Sequence, residues 1–147
     1  MEWIYDDGGR ADAGYKGHTG DCCCRAIAIV TGMPYKTVYD MINEYAKHER
    51  MTKKVKVRGR SNARTGVWKD TAKKIMLDLG WTWVPTMQIG SGCQVHLDAD
   101  ELPKGKIMCL VSKHYVAIID GVAHDTYDST RESKRCVYGY FTKEEVN

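Results

Sequence analysis

The segment Gly20-Asp21-Cys22-Cys23-Cys24-Arg25-Ala26-Ile27-Ala28-Ile29-Val30 sets a thiol directly after an aspartate of helix-capping type, at the head of an apolar run that reads as a buried helix. A cysteine in the first turn of a helix faces backbone N–H groups that lack acceptors and the positive end of the helix dipole. Both favour thiolate over thiol. Cys22 is therefore a candidate nucleophile. Successive helical residues are rotated by about 100°, so Cys22, Cys23 and Cys24 cannot all face one cleft. The first lies nearest the positive end of the dipole, which leaves Cys23 and Cys24 as small apolar packing residues.

A nucleophilic thiol needs a base. The segment Lys113-His114-Tyr115-Val116-Ala117-Ile118-Ile119-Asp120-Gly121 puts a histidine at the head of an apolar strand, and a Cys/His pair brought together in space is what thiol catalysis requires. His114 fits better than the other histidines. His48 falls at the polar end of a helix, His18 and His96 in loops, and His124 on the return strand of a hairpin. A carboxylate should orient the imidazole and stabilise its charged form. If Asp120-Gly121 is a two-residue hairpin turn, Ile119 pairs with Val122, Ala117 with His124, and Val116 with Asp125. Strand alternation then puts Asp125 on the face of His114 and turns Asp128 away. A turn one residue longer or shorter reverses the choice, which keeps Asp128 as the alternative. No Cys-x-x-Cys occurs and adjacent thiols make a poor tetrahedral set, so neither a metal nor a cofactor is expected.

These residues must be positioned by two kinds of element. Residues 1–20 contain Gly8, Gly9, Gly14, Gly17 and Gly20, which predict an extended or looping lead-in. A first helix runs from Cys22 to Thr31 and stops at Gly32. Pro34 opens a second, with Tyr35, Val38, Tyr39, Ile42 and Tyr45 on one face. Val67, Trp68, Ala72, Ile75, Met76 and Leu79 repeat the helical spacing up to Gly80. From Trp81 the pattern becomes strand-like. Trp81–Val84 is followed by the interrupting Pro85 and a loop at Gly90–Cys93, then by strands over 106–111, 114–119, 122–127 and 136–141. Helices followed by an antiparallel sheet make an α+β fold.

At 147 residues and 43% hydrophobic content, the chain suits one domain, 1–147, with a core of its own. The N-terminus has no basic region followed by an apolar run, and no stretch of about 18 apolar residues occurs; a cytoplasmic protein is the expectation. Three of the six cysteines are consecutive, which fits a reducing compartment and reduced thiols better than a disulfide framework. The net charge of +3 is concentrated. Between residues 47 and 64, Lys47, Arg50, Lys53, Lys54, Lys56, Arg58, Arg60 and Arg64 face a single acid, Glu49. That run reads as a mobile basic loop able to meet an acidic partner or nucleic acid, although no aromatic residues are interleaved for base stacking.

A helical half that bears the thiol, followed by a sheet that bears the histidine, resembles the papain-like cysteine peptidase superfamily. The Gly-Asp-Cys-x-x-Arg-Ala-Ile-Ala-Ile, His-Tyr-Val-Ala-Ile-Ile-Asp-Gly and His-Asp-Thr-Tyr-Asp segments are similar to those of small C39-peptidase-like proteins encoded by bacteriophages and prophages. The resemblance covers residues from about 15 to 141. It implies hydrolysis of an amide in a protein or peptide substrate, with Cys22 as nucleophile, His114 as base and then acid, and Asp125 as the orienting carboxylate. The oxyanion-hole glutamine of that family, about six residues before the cysteine, falls on Lys16 here. The donors must then come from the Cys22 backbone N–H and from His18 or Thr19. An inactive papain-like binding protein and a basic nucleic-acid-binding module are the alternatives.

Overall fold

A computed structural model describes residues 1–144; residues 145–147 of the expected 1–147 domain lie outside the described residues. The elements in chain order are β1 (Trp3–Tyr5), α1 (Cys22–Thr31), α2 (Tyr35–Lys47), α3 (Lys53–Arg58), α4 (Lys69–Asp78), β2 (Thr82–Pro85), β3 (Val95–His96), β4 (Lys106–Val111), β5 (His114–Ile119), β6 (Val122–Asp125), β7 (Cys136–Val137) and β8 (Gly139–Thr142). The fold is mixed α+β. Six strands form one sheet in the order β1-β6-β5-β4-β8-β2, antiparallel except for β1, which runs parallel to β6. β3 and β7 make a separate antiparallel pair.

The central strands β4 and β5 are nearly continuous apolar runs because both of their faces are covered. On one face Met108, Leu110, Tyr115 and Ala117 pack with Ile27 of α1 and Ile42 of α2. On the other, Ile107, Val111, Val116 and Ile118 pack with Leu97 and Val137. Burying each large aliphatic side chain contributes about 1.5–3 kcal/mol, so α1 is held against the sheet by the apolar residues that follow its thiols. It ends as expected at Gly32, whose φ of 75° suits glycine and whose N–H returns to the Ala28 carbonyl.

The hairpin between β5 and β6 has the anticipated register. Asp120 and Gly121 adopt φ of 47° and 80°, the left-handed pair required by a two-residue turn of type I′. Ile119 pairs with Val122 and Ala117 with His124.

Other expectations need correction. The lead-in is not wholly irregular: β1 lies along β6, and the next residues form a turn in which the Asp6 and Asp7 carboxylates accept the Gly8 and Gly9 N–H groups. Residues 47–64 are not wholly a loop, since residues 53–58 form α3. Thr52 caps α3, Val55 is buried beneath it, and the Arg60 guanidinium closes the end of α2 by donating to the Ala46 and Glu49 carbonyls. Pro34 stands just before α2, and Pro85 ends β2, a sheet-edge strand where its missing N–H is tolerated. The strand expected over 122–127 ends at Asp125. The one expected over 136–141 breaks at Tyr138, because β7 pairs with β3 whereas β8 inserts between β4 and β2. At that crossing a Cβ on Gly139 would stand 2.3 Å from the Trp83 ring. Finally, the thiols are not all reduced: Cys93 and Cys136 form a disulfide with their Cα atoms 5.8 Å apart, while Cys22, Cys23, Cys24 and Cys109 are free. Folding of the β3–β7 pair brings together two cysteines separated by 43 residues. Among the described residues no helix is long and apolar enough to cross a membrane.

Candidate active site

The first residue of α1, the first of β5 and the last of β6 converge at one end of the sheet. Cys22, His114 and Asp125 occupy those three positions. His114 Nε2 lies 2.6 Å from Asp125 Oδ2, and the Cys22 thiol lies beside the same imidazole, both lining one cleft. With Nε2 engaged by the carboxylate, Nδ1 is the nitrogen left for sulfur. The histidine is 6% and the aspartate 2% exposed. Cys22 is half-buried and lines a cleft of about 570 Å³ with Thr19, Thr65, Lys69, Tyr115 and Tyr127.

The electrostatics of this pair favour charge separation. Burial pushes the Cys22 thiol up, but the His114 hydrogen bond and charge, the Tyr115 backbone N–H and the Arg25 guanidinium together bring it below its ordinary value. Burial pushes the His114 imidazolium down, and the hydrogen bonds to Asp125 and Cys22 outweigh it, so the histidine is raised. Both shifts favour a thiolate beside an imidazolium. The neighbouring thiols move the other way. Burial raises Cys23 well above the ordinary range and pushes Cys24 to about 12. One helical turn thus holds one activated thiol and two inert ones.

Asp125 is saturated. Besides His114 it accepts the Thr126 N–H at 2.8 Å, the Ser129 hydroxyl at 2.7 Å and Arg25 Nη2 at 3.2 Å. Burial raises its carboxyl, and His114 foremost, then Ser129 and the Thr126 N–H, bring it below its ordinary value. The alternative, Asp128, is exposed and takes the Thr130 N–H and hydroxyl instead, outside the site.

Asp21 does not cap α1 with its side chain. Its buried carboxylate is drawn inward by Arg25, one turn along the helix, and also accepts the Tyr35 hydroxyl at 2.6 Å and faces Arg10 Nε at 3.6 Å. A charged partner outcompetes backbone amides for that carboxylate. The N–H groups at the head of α1 are thereby left to the cleft. Of the oxyanion candidates, the Cys22 N–H is one of these groups. Thr19 lines the cleft, but its hydroxyl donates to the Arg64 carbonyl at 3.0 Å, and His18 is exposed and does not line the cleft. Lys16 is exposed and offers only its carbonyl, to Arg64 Nη2 at 3.3 Å. The other histidines face acids elsewhere: His48 Glu44, His96 Glu101 and His124 Asp6.

Four groups at the site had no assigned role in the sequence. Arg25 bridges Asp21 and Asp125 while only 8% exposed. An arginine inside an Ala/Ile run is a signal that could have found it, since a buried cation requires partners. The Tyr115 N–H, the cleft-lining Lys69 and Arg64, whose carbonyl ties down the lead-in by accepting the Gly20 N–H at 2.7 Å, carry no local pattern. Among the described residues no group of three or more His, Cys, Asp or Glu side chains could hold a metal. Compared with protein-family models, with curated proteins and with solved structures, the chain matches none.

Proposed function

We propose that the protein is a papain-like cysteine peptidase or amidase. The observation that carries this reading is the Cys22 thiol, lowered in a cleft that it shares with an imidazole held by Asp125 at 2.6 Å. The Cys22 thiolate attacks the carbonyl carbon of a bound peptide, and the negative charge that develops on oxygen is met by N–H groups at the head of α1. His114 passes its proton to the departing amine, which leaves a thioester on Cys22. Neutral His114 then takes a proton from water as that water attacks the thioester, and the acid leaves with the thiolate restored. Asp125 stays ionised throughout and keeps Nδ1 aimed at sulfur.

The test is iodoacetamide labelling against pH with site mapping, in the wild type and in His114→Ala. The expected result is selective labelling of Cys22 with a midpoint well below the free-thiol value of about 8.5, moved upward by His114→Ala. Slow labelling spread over several cysteines and indifferent to His114 would leave an inert papain-like scaffold as the better account.

A further inference from the structure

A second concavity, of about 600 Å³, opens between the end of α2, α3 and the first turns of α4. Arg50, Lys54, Lys69 and Lys74 line it. Among the described residues none of these four lies within 4.0 Å of a carboxylate oxygen. Two acids also line the groove, and one of them, Glu49, is committed. Glu49 turns inward, accepting the Ser61 N–H at 2.7 Å and the hydroxyls of Ser61 and Thr71. Asp70 sits in the first turn of α4, where the helix dipole favours it. Lys69 lines both this groove and the cleft of Cys22, so the two adjoin there.

Resting on the thiol-hydrolase reading, we infer that this groove binds an acidic stretch of the peptide substrate and thereby selects which amide reaches Cys22. Four cations without carboxylate partners, set against two acids of which one is turned inward, present a positive field that carboxylates complement. Single-stranded nucleic acid is the weaker fit. It binds by stacking its bases on aromatic faces, and the tryptophan of the groove, Trp68, already has Lys54 Nζ 5.8 Å from its ring centroid and its indole N–H committed to the Gly59 carbonyl.

The probes are peptides with a central α-ketoamide, flanked on both sides by Glu, Gln or Lys. The Cys22 sulfur adds to the keto carbon, the carbonyl electron pair moves to oxygen, and that oxygen takes the proton held by His114. Nothing is oxidised or reduced, and the addition reverses. Protection of Cys22 from iodoacetamide is the readout. The Glu-flanked probe is expected to protect at about tenfold lower concentration than the Gln-flanked one, as a few exposed ion pairs allow, with the Lys-flanked probe weakest. Lys54→Glu/Lys74→Glu should close the gap. Lys53→Glu/Lys56→Glu, the same charge change outside the groove lining, should keep it. Equal protection by Glu and Gln probes overturns the inference, and so does a gap that survives Lys54→Glu/Lys74→Glu. It is equally overturned if a single-stranded DNA oligonucleotide displaces the Glu probe more effectively than a glutamate peptide does, through the same two lysines. If no probe selectively protects Cys22, the hydrolase reading fails instead. Polarisation of a fluorescein-labelled glutamate peptide then judges the groove alone: binding lost in Lys54→Glu/Lys74→Glu supports it, and no binding to the wild type overturns it.

Discussion

The corner around Cys22 and the basic face around α3 are both built from charges, and they use them in opposite ways. At the corner the buried charges answer one another at contact distance: Asp21 holds Arg25, Arg25 reaches Asp125, and Asp125 holds His114. On α3, Lys53, Lys54, Lys56 and Arg58 stand exposed in water, and the hydrogen bonds of the helix come from Thr52 and the backbone. Buried charges are stable only in one geometry, because leaving any of them unpaired is costly. Exposed charges contribute a field and little positional information. The corner therefore specifies where a proton sits, whereas the basic face can specify only what kind of molecule approaches.

The corner is most vulnerable at Arg25. Replacing it by Met leaves the buried carboxylates of Asp21 and Asp125 without the cation they share. Removing one partner of a buried pair costs about 3–5 kcal/mol, and the measurement is urea denaturation at neutral pH. Lys56→Met, on the exposed face, should stay within about 0.5 kcal/mol of wild type. A cost for Arg25→Met as small as that for Lys56→Met would mean that the corner is solvated after all.

The same contrast explains what could be read from the chain. Periodic apolar spacing marked α1, α2 and α4 to within two residues or so, and alternation across an Asp-Gly turn put Asp125 rather than Asp128 beside His114. These features are encoded locally. α3 was hidden because its six residues, KKVKVR, show one buried position, Val55, too little for a period. β1 was hidden because Trp3, Ile4 and Tyr5 are all exposed and owe their strand to pairing with β6, more than a hundred residues along the chain. The capping role expected of Asp21 yielded to Arg25, and the Cys93–Cys136 bond appeared, for the same reason: the deciding partner is supplied by tertiary structure.

Asp125→Asn removes charge at the corner while keeping shape. His114 is raised in part by that carboxylate, so its folded value should fall and the Cys22 thiolate lose support. Below its midpoint a thiol loses about tenfold in thiolate fraction for each pH unit by which that midpoint rises, so Cys22 labelling near pH 6 should slow by about tenfold. Asp128→Asn should leave it unchanged. Stability carries a matching signature. Because the folded Asp125 is lowered, its contribution is present above the unfolded value of about 3.9 and is lost as pH falls through the folded one. His114 is raised, so its contribution is complete below the unfolded value of about 6.5 and disappears as pH rises through the folded one. Asp125→Asn should therefore flatten the acid limb of a stability–pH curve, and an unaltered acid limb would mean that Asp125 is not ionised in contact with His114.

Salt makes the smallest and most discriminating change. Between 0.1 and 1 M ionic strength the screening length falls from about 10 Å to about 3 Å. The imidazole beside Cys22 and the carboxylate that holds it are shielded from water, since His114 and Asp125 are 6% and 2% exposed. Screening by mobile ions acts weakly inside such a cluster, and the midpoint of Cys22 labelling should move by less than about 0.3 on the pH scale. Arg50, Lys54 and Lys74 act through solvent, so their hold on a glutamate peptide should weaken by about tenfold or more over the same range. A labelling midpoint that climbs with salt as steeply as peptide binding falls would show that Cys22 is activated by the positive field of the basic face. A fixed midpoint beside a salt-sensitive groove would separate the two regions, with reactivity built from contacts and selection built from the field.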